Sequence, residues 1–377
     1  MNESVPNQRN DGPAGAFNDY AIPAPATALV GRTDEQLLPR NVARHVQIDG
    51  LRALAMISVL YIHFWHRDPI AENLRVSLFF VVSGFLITHI LYTAKEHGGQ
   101  IHVFNFYIRR MLRLFPALGI LIITAFAFDM DGFRQSVWWH LLQLSNVKFA
   151  ISEEITPWIT GHLWSLNVLE QFYLIYPIVI LLLPLRKIFS VVMGIAVASV
   201  VLRNHGDLLG IQGWFRYMVF AADPIAAGAF FYLLQREPKI RRYMRSWSAL
   251  GVSLLFLISP YLIGQGFGGT ETYRLLSQPA LAAIVVGAFH GYQGPVGFAL
   301  GCKVARFTSK LSYGIYIYHL PTWWLTAEVY PPILNQGPVA FLVVSSLTCA
   351  VAAMSWHVLE EPIARLKSRF PTATRLV

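Results

Sequence analysis

Ten stretches of this chain are apolar for long enough to cross, or nearly cross, a lipid bilayer, and no other property constrains its fold so strongly. A hydrocarbon core takes about 20 mostly apolar residues per helix. The stretches fall at about 51–65, 74–92, 106–128, 162–183, 188–203, 214–234, 247–263, 275–292, 311–330 and 338–358. The one at 188–203 is the weakest, being short and rich in small residues. Val137 to Ala150 is also apolar but short and interrupted, and it reads as an interfacial or re-entrant segment. Only 14% of the residues are charged and 55% are hydrophobic, against roughly 25% and 45–50% in soluble domains. A water-soluble globule and a disordered chain are both excluded. The expectation is an all-α integral membrane protein of about ten transmembrane helices.

The formal charge of +9 would suit nucleic acid, but its distribution marks a membrane protein instead. With the N-terminus inside and ten crossings, 23 of the 30 Lys and Arg residues fall on the cytoplasmic side and 7 outside, Arg67 and Arg75 among the latter. This bias obeys the positive-inside rule and places both termini in the cytoplasm. Residues 1–45 mix Pro, Gly, Asn, Ala and Thr without periodicity or the pattern of a signal peptide, and read as a disordered cytosolic tail. The membrane domain runs over 46–364, and 365–377 form a short basic tail. No internal repeat of the kind found in many transporters is visible. Cys302 and Cys349 are too few for a disulfide framework or a cysteine-based zinc site, and the histidines do not fall into a ligand spacing, so no metal is implied.

Ionisable residues inside such spans are costly and mark functional candidates. Arg52 and His63 lie 11 residues apart in the first span, three helical turns, which puts them on one face about 16 Å apart along the axis. Asp49, one turn before Arg52, can pair with it. Arg52 is either a snorkelling anchor or a cavity residue. His63 is either an interfacial ring beside Trp65 or a base lining a polar cavity, where a pKa near neutrality suits acid–base work. His66, followed by Arg67, Asp68 and Pro69, belongs to the outer loop. In the fourth span Asn167, Glu170 and Gln171 stand at i, i+3 and i+4 as a polar stripe, which makes either a helix–helix clamp or a site. Asp223 sits mid-span before Pro224, as a satisfied carboxyl at a kink or as a functional acid. Arg109, Arg110 and Arg113 open the third span, either as ordinary anchoring or as a phosphate clamp. Ser312, Tyr313, Tyr316 and His319 share a face of the ninth.

With these residues in hand, the chain resembles the acyltransferase-3 family of integral-membrane acyltransferases over about 46–364. The Asp49-Gly50-Leu51-Arg52 start, the Arg52-to-His63 spacing and the run Phe79-Phe80-Val81-Val82-Ser83-Gly84-Phe85-Leu86-Ile87 are similar to the family's. So are Arg109, Arg110, Arg113 and Pro116, and the segment Leu163-Trp164-Ser165-Leu166 with its tail Glu170-Gln171-Phe172-Tyr173. Ser312, Tyr313, Tyr316, His319 and Pro321 follow, then Glu360-Glu361-Pro362. One departure is Leu169, where the family usually has a second acidic residue, which leaves any acidic role to Glu170.

The resemblance implies transfer of an acyl group, most often acetyl, from cytosolic acyl-CoA to a hydroxyl of a sugar in a surface polysaccharide, glycolipid or similar glycan. A macrolide or other small metabolite is an alternative acceptor, and a transporter of a lipid-linked or small polar substrate is the rival class. It implies the form without a fused C-terminal hydrolase-like domain. Arg52, Arg110 and Arg113 are then expected to hold the donor phosphates, and His63 to act as base or transient acyl carrier with Glu170 as its acidic partner. Asp49, Ser83, His162, Ser165, Asn167, Gln171, Tyr173, Asp223, Tyr316 and His319 are expected to bind substrate or support the site. Membrane lipid is the expected surrounding, and oligomeric state is left open.

Overall fold

A computed structural model describes residues 45–371 and 373–375, apart from 207–209, 211–212, 214–215, 264–268 and 336. The tail expected over 1–45 therefore lies outside the described residues except for its last position. The first helices are α1 (Val46–Phe64) and α2 (Pro69–Glu96). Strand β1 (Gly99–Ile101) precedes α3 (Val103–Ala127), and two short helices follow, α4 (Val137–Leu141) and α5 (Ser145–Ile151). Next come α6 (Leu163–Leu182), α7 (Leu185–Asn204), α8 (Met218–Ala221) and α9 (Asp223–Leu234). Helices α10 (Pro238–Met244), α11 (Trp247–Ile263), α12 (Gly269–His290) and α13 (Gly294–Gly301) lead to α14 (Lys303–Val329) and α15 (Gly337–Ser355). A π turn (Trp356–Glu360), α16 (Glu361–Arg365) and β2 (Ala373–Arg375) complete the described chain.

Every one of the ten apolar stretches contains helix, but among the described residues fewer than ten helices have the length and composition to cross a bilayer. Among the described residues six are long and apolar enough, namely α1, α2, α3, α6, α7 and α15 with its continuation, and seven if α12 and α13, bent by 84°, make one span. The rest fall short for separate reasons. Helix α14 has 27 residues but carries Ser312, Tyr313, Tyr316, His319 and Thr322 along its length. The stretch at 214–234 is broken, with α8 ending at Ala221 and α9 starting anew at Asp223. Helix α11 has only 17 residues. Segment 137–150 folds as two helices of five and seven residues, neither able to cross.

Helix α2 begins five residues before the apolar pattern does. Asp68 accepts a hydrogen bond from the Ala71 amide at 2.8 Å and Pro69 supplies a preset first turn, a strong start signal. The helix then packs backbone-to-backbone against α9. A Cβ on Gly84 would stand 1.9 Å from the Ile225 carbonyl oxygen, and one on Gly228 would stand 2.0 Å from that of Val81. Only glycine permits this approach, as at other close membrane-helix crossings. Helices α1, α3, α14 and α15 bury a second apolar core built around Met56, Leu118, Ile315 and Val344. The two short strands pair antiparallel, Gly99 opposite Arg375 and Ile101 opposite Ala373.

Candidate active site

A cavity opens between α1, α2, α3, α6 and α14, and its charged lining is unusual for the inside of an apolar bundle. Arg52, Arg75, Arg110 and Arg113 reach it from three helices, with Glu170 as the carboxylate among them. Uncompensated charge in such surroundings is costly unless a ligand meets it. Arg52 donates to Ser312 Oγ at 3.0 Å and lies 3.8 Å from Asp49, which in turn accepts from Ser309 at 3.0 Å. Asp49 is thus a support for Arg52, as its one-turn spacing led us to expect. The Arg110 guanidinium lies 3.8 Å above the Tyr173 ring, a cation–π seat that fixes its plane. Arg113 remains accessible. Ser83 and Ser165 also line the cavity, and Ser165 bonds Tyr316 at 2.7 Å. The Tyr316 hydroxyl donates to the His162 carbonyl at 2.5 Å and so accepts from Ser165.

His63 lies one turn past Val59, which lines the cavity, and its own ring does not. Its Nδ1 lies 2.9 Å from the Val59 carbonyl, and its ring meets His319 at 4.8 Å between centroids. His319 in turn meets His162 at 4.7 Å. Sequence spacing gave no sign of this cluster, because the three rings come from α1, α14 and the residue before α6. Among the described residues no group of His, Cys, Asp and Glu side chains is arranged to hold a metal ion.

The structure separates several residues that the sequence had grouped. Glu170 is eight residues along α6 from His162, about 12 Å of rise, and it faces Arg110 and Arg113 rather than the histidines. It is therefore no acidic partner for His63. The stripe of Asn167, Glu170 and Gln171 also divides. Glu170 turns to the cavity while Asn167 donates to Gln143 Oε1 at 2.8 Å. Gln171 and Asn146 exchange two amide hydrogen bonds, at 2.9 and 3.3 Å. Asn167 and Gln171 thus clamp the segment of α4 and α5 to α6. Asp223 starts α9 rather than kinking it, and is fully buried in an ion pair with Arg203, with Gln278 and Ser199 also bonded to it. It lies outside the cavity lining, and Arg203 is buried with it.

Two residues gained a place that the sequence reading had not given them. Arg75, assigned to the outside, lines the cavity and is 7% exposed. The Asp68-Pro69 helix start was the available signal, since it sets Arg75 nearly two turns inside α2. His140 is fully buried, with Nδ1 2.6 Å from Ser145 Oγ and Nε2 3.3 Å from Thr160 Oγ1, and so holds the turn that delivers His162.

Fold and site together define a helical protein with several apolar helices long enough to cross a bilayer and an arginine-lined cavity beside an imidazole cluster. The chain belongs to the acyltransferase-3 family, whose model, described as an acyltransferase domain, matches residues 45–357. It is similar to the peptidoglycan O-acetyltransferase OatA of Listeria monocytogenes, 28% identical across 84% of this chain and 55% of OatA. The putative peptidoglycan O-acetyltransferase YrhL of Bacillus subtilis is 26% identical across 84% of this chain and 54% of its own. A putative O-acetyltransferase of Staphylococcus aureus is 26% identical, with 84% and 57% covered. The chain spans little more than half the length of these curated relatives. No solved structure matches it.

Proposed function

We propose that this protein is a membrane O-acetyltransferase of the bacterial plasma membrane that moves an acetyl group from cytosolic acetyl-CoA to a hydroxyl of a cell-envelope glycan. The observation that carries this reading is the cavity itself, where four arginines converge with one carboxylate inside an apolar bundle. Guanidinium forks match phosphate oxygens bidentately, and the donor is a polyphosphate. In this reading Arg52, Arg110 and Arg113 hold it at the cytoplasmic end. The acyl thioester then lies toward Tyr316 and His63, a distance of about 16 Å that an extended pantetheine arm spans. The family and the relatives named for peptidoglycan O-acetylation support a glycan acceptor.

His63 has the geometry of a base. Its Nδ1 faces a main-chain carbonyl, which fixes the proton there and leaves the Nε2 lone pair free. Nε2 takes the proton of the acceptor hydroxyl as its oxygen attacks the thioester carbon. The carbon–sulfur bond then breaks and the thiolate recovers the proton from His63, giving an O-acyl ester and free thiol. Transfer through an acyl-histidine is the variant of the same chemistry in which Nε2 itself attacks.

The test is thiol release from acetyl-CoA by purified protein with a cell-envelope extract, wild type against His63→Ala. Release that needs both the extract and His63 supports the proposal, and mass spectrometry of the acetylated product identifies the acceptor. Well-folded protein that releases no thiol from any short acyl-CoA would turn the assignment toward transport.

A further inference from the structure

We propose that Arg75 supplies the positive charge at the reacting end of the cavity, donating to the thioester carbonyl oxygen as it becomes an oxyanion. This assignment rests on the acyltransferase reading above and adds a residue to it. Arg75 lines the cavity from α2 and lies within electrostatic reach of Tyr316, whose hydroxyl is bonded to Ser165. It is more than nine-tenths buried, yet its Nε is an unpartnered donor among the described residues. Its ion pair with Glu72 is long, 3.5 Å, and that carboxylate is 57% exposed, so water screens it. A buried guanidinium with an unused donor needs an acceptor to offset its desolvation.

Its surroundings indicate what that acceptor is. Arg75 lies within electrostatic reach of Tyr316 and of all three imidazoles, His63, His162 and His319. It is therefore the arginine that joins the polyphosphate end of the cavity to the proposed base. Arg52 is held by Ser312 and Asp49, and Arg110 by Tyr173, in positions suited to a bound phosphate. When the acceptor oxygen bonds to the thioester carbon, the carbonyl π pair moves onto its oxygen while His63 takes the hydroxyl proton. Collapse restores the carbonyl, expels the thiolate and returns the proton to it. The one atom that carries negative charge only between these steps is the carbonyl oxygen, and a fixed cation facing it lowers the barrier without tightening ground-state binding.

Kinetics of the full chain in detergent or nanodiscs test the assignment, with thiol release as readout and thermal melting as control. Removing one oxyanion donor costs about 10²–10³ in kcat. Arg75→Gln is therefore expected to lose about 100-fold in kcat with KM for acetyl-CoA and acceptor within about threefold of wild type. Arg113→Gln is expected to raise KM for acetyl-CoA instead. Millimolar guanidinium ion should restore part of the kcat lost in Arg75→Gly, a rescue that a merely structural role would not show. If Arg75→Gln melts early, Arg75→Lys carries the comparison, since it keeps charge but not the fork. Wild-type kcat in Arg75→Gln, or a loss confined to acceptor KM, would overturn the assignment. Absence of thiol release from the wild type would instead overturn the functional reading beneath it.

Discussion

His63 and His319 hold their rings 4.8 Å apart, and each has Nδ1 against a main-chain carbonyl of its own helix, Val59 at 2.9 Å and Tyr316 at 2.7 Å. A ring nitrogen facing a carbonyl carries the proton, so in both rings the basic nitrogen is Nε2. Access separates them. His319 is fully buried, with no partner for Nε2 among the described residues, whereas His63 is only half-buried. In the proposed reaction His63 is the ring open to substrate, and His319 is the wall behind it.

Replacement of His63 by Ala or Gln should therefore lower thiol release by about 10²–10⁴, the usual worth of a general base, with melting temperature unchanged. His319→Gln should lower melting temperature more than it lowers kcat. The reverse ranking would exchange their roles.

On the proposed reading, the Arg52 and Arg113 end of the cavity should govern donor affinity. Arg52→Gln and Arg113→Gln each remove a hydrogen bond to a charged group, worth about 1.5–3 kcal/mol, so KM for acetyl-CoA should rise at least about tenfold in each. Lysine at either position should recover only part of this, because it lacks the bidentate fork. Product inhibition by free coenzyme A gives an independent measure, and its constant should shift in parallel.

Asp223 and Arg203 should behave as structure and not as machinery. Arg203→Met strands a buried carboxylate and should cost about 3–5 kcal/mol, read as a lower melting temperature and poorer yield. Joint replacement, Arg203→Met with Asp223→Leu, should recover much of that loss. Residual activity per folded molecule should stay near wild type. A kcat defect in a well-folded double variant would return Asp223 to the site.

The crossing of α2 and α9 gives the sharpest stability prediction. Alanine at Gly84 or Gly228 would put a methyl within 2.0 Å of a carbonyl oxygen on the other helix, so the helices must separate. Each substitution should lower the melting temperature clearly. Gly119, which has open space where a Cβ would go, should accept alanine without loss and is the control.

How much the sequence disclosed varies with what each residue had to reveal. Arg52 was legible as a cavity residue from its polar place at the start of an apolar helix, whereas helical spacing put His63 on the same face and the structure turns its ring beside the cavity lining instead. Arg110 and Arg113 were legible through their position at the start of α3. The imidazole cluster was hidden, since His63, His162 and His319 meet only through the packing of three segments. The division of Asn167 and Gln171 from Glu170 was hidden as well. Periodicity groups side chains within one turn, but only the arrival of α4 and α5 decides which of them face a neighbour. Arg75 was misplaced because the hydropathy pattern starts at residue 74, while the helix starts at the Asp68 cap. Asp223 misled because Pro224 after an apolar run resembles a kink, whereas in the first turn of a new helix proline is at home.

The contacts of the chain beside the basic start of α3 carry a consequence in time. Asn105 donates to the Pro371 carbonyl at 2.9 Å, Arg109 to that of Lys367 at 2.9 Å, and β1 pairs with β2, partners separated by more than 250 residues. At roughly 5–20 residues per second, the ribosome delivers those partners tens of seconds after α3 itself has been made. A nascent chain can thus have most of its bundle inserted while the rim around Arg109 is still half built. The rim is finished last, so a translation product broken off before residue 367 would be a membrane-embedded protein with an unfinished doorway.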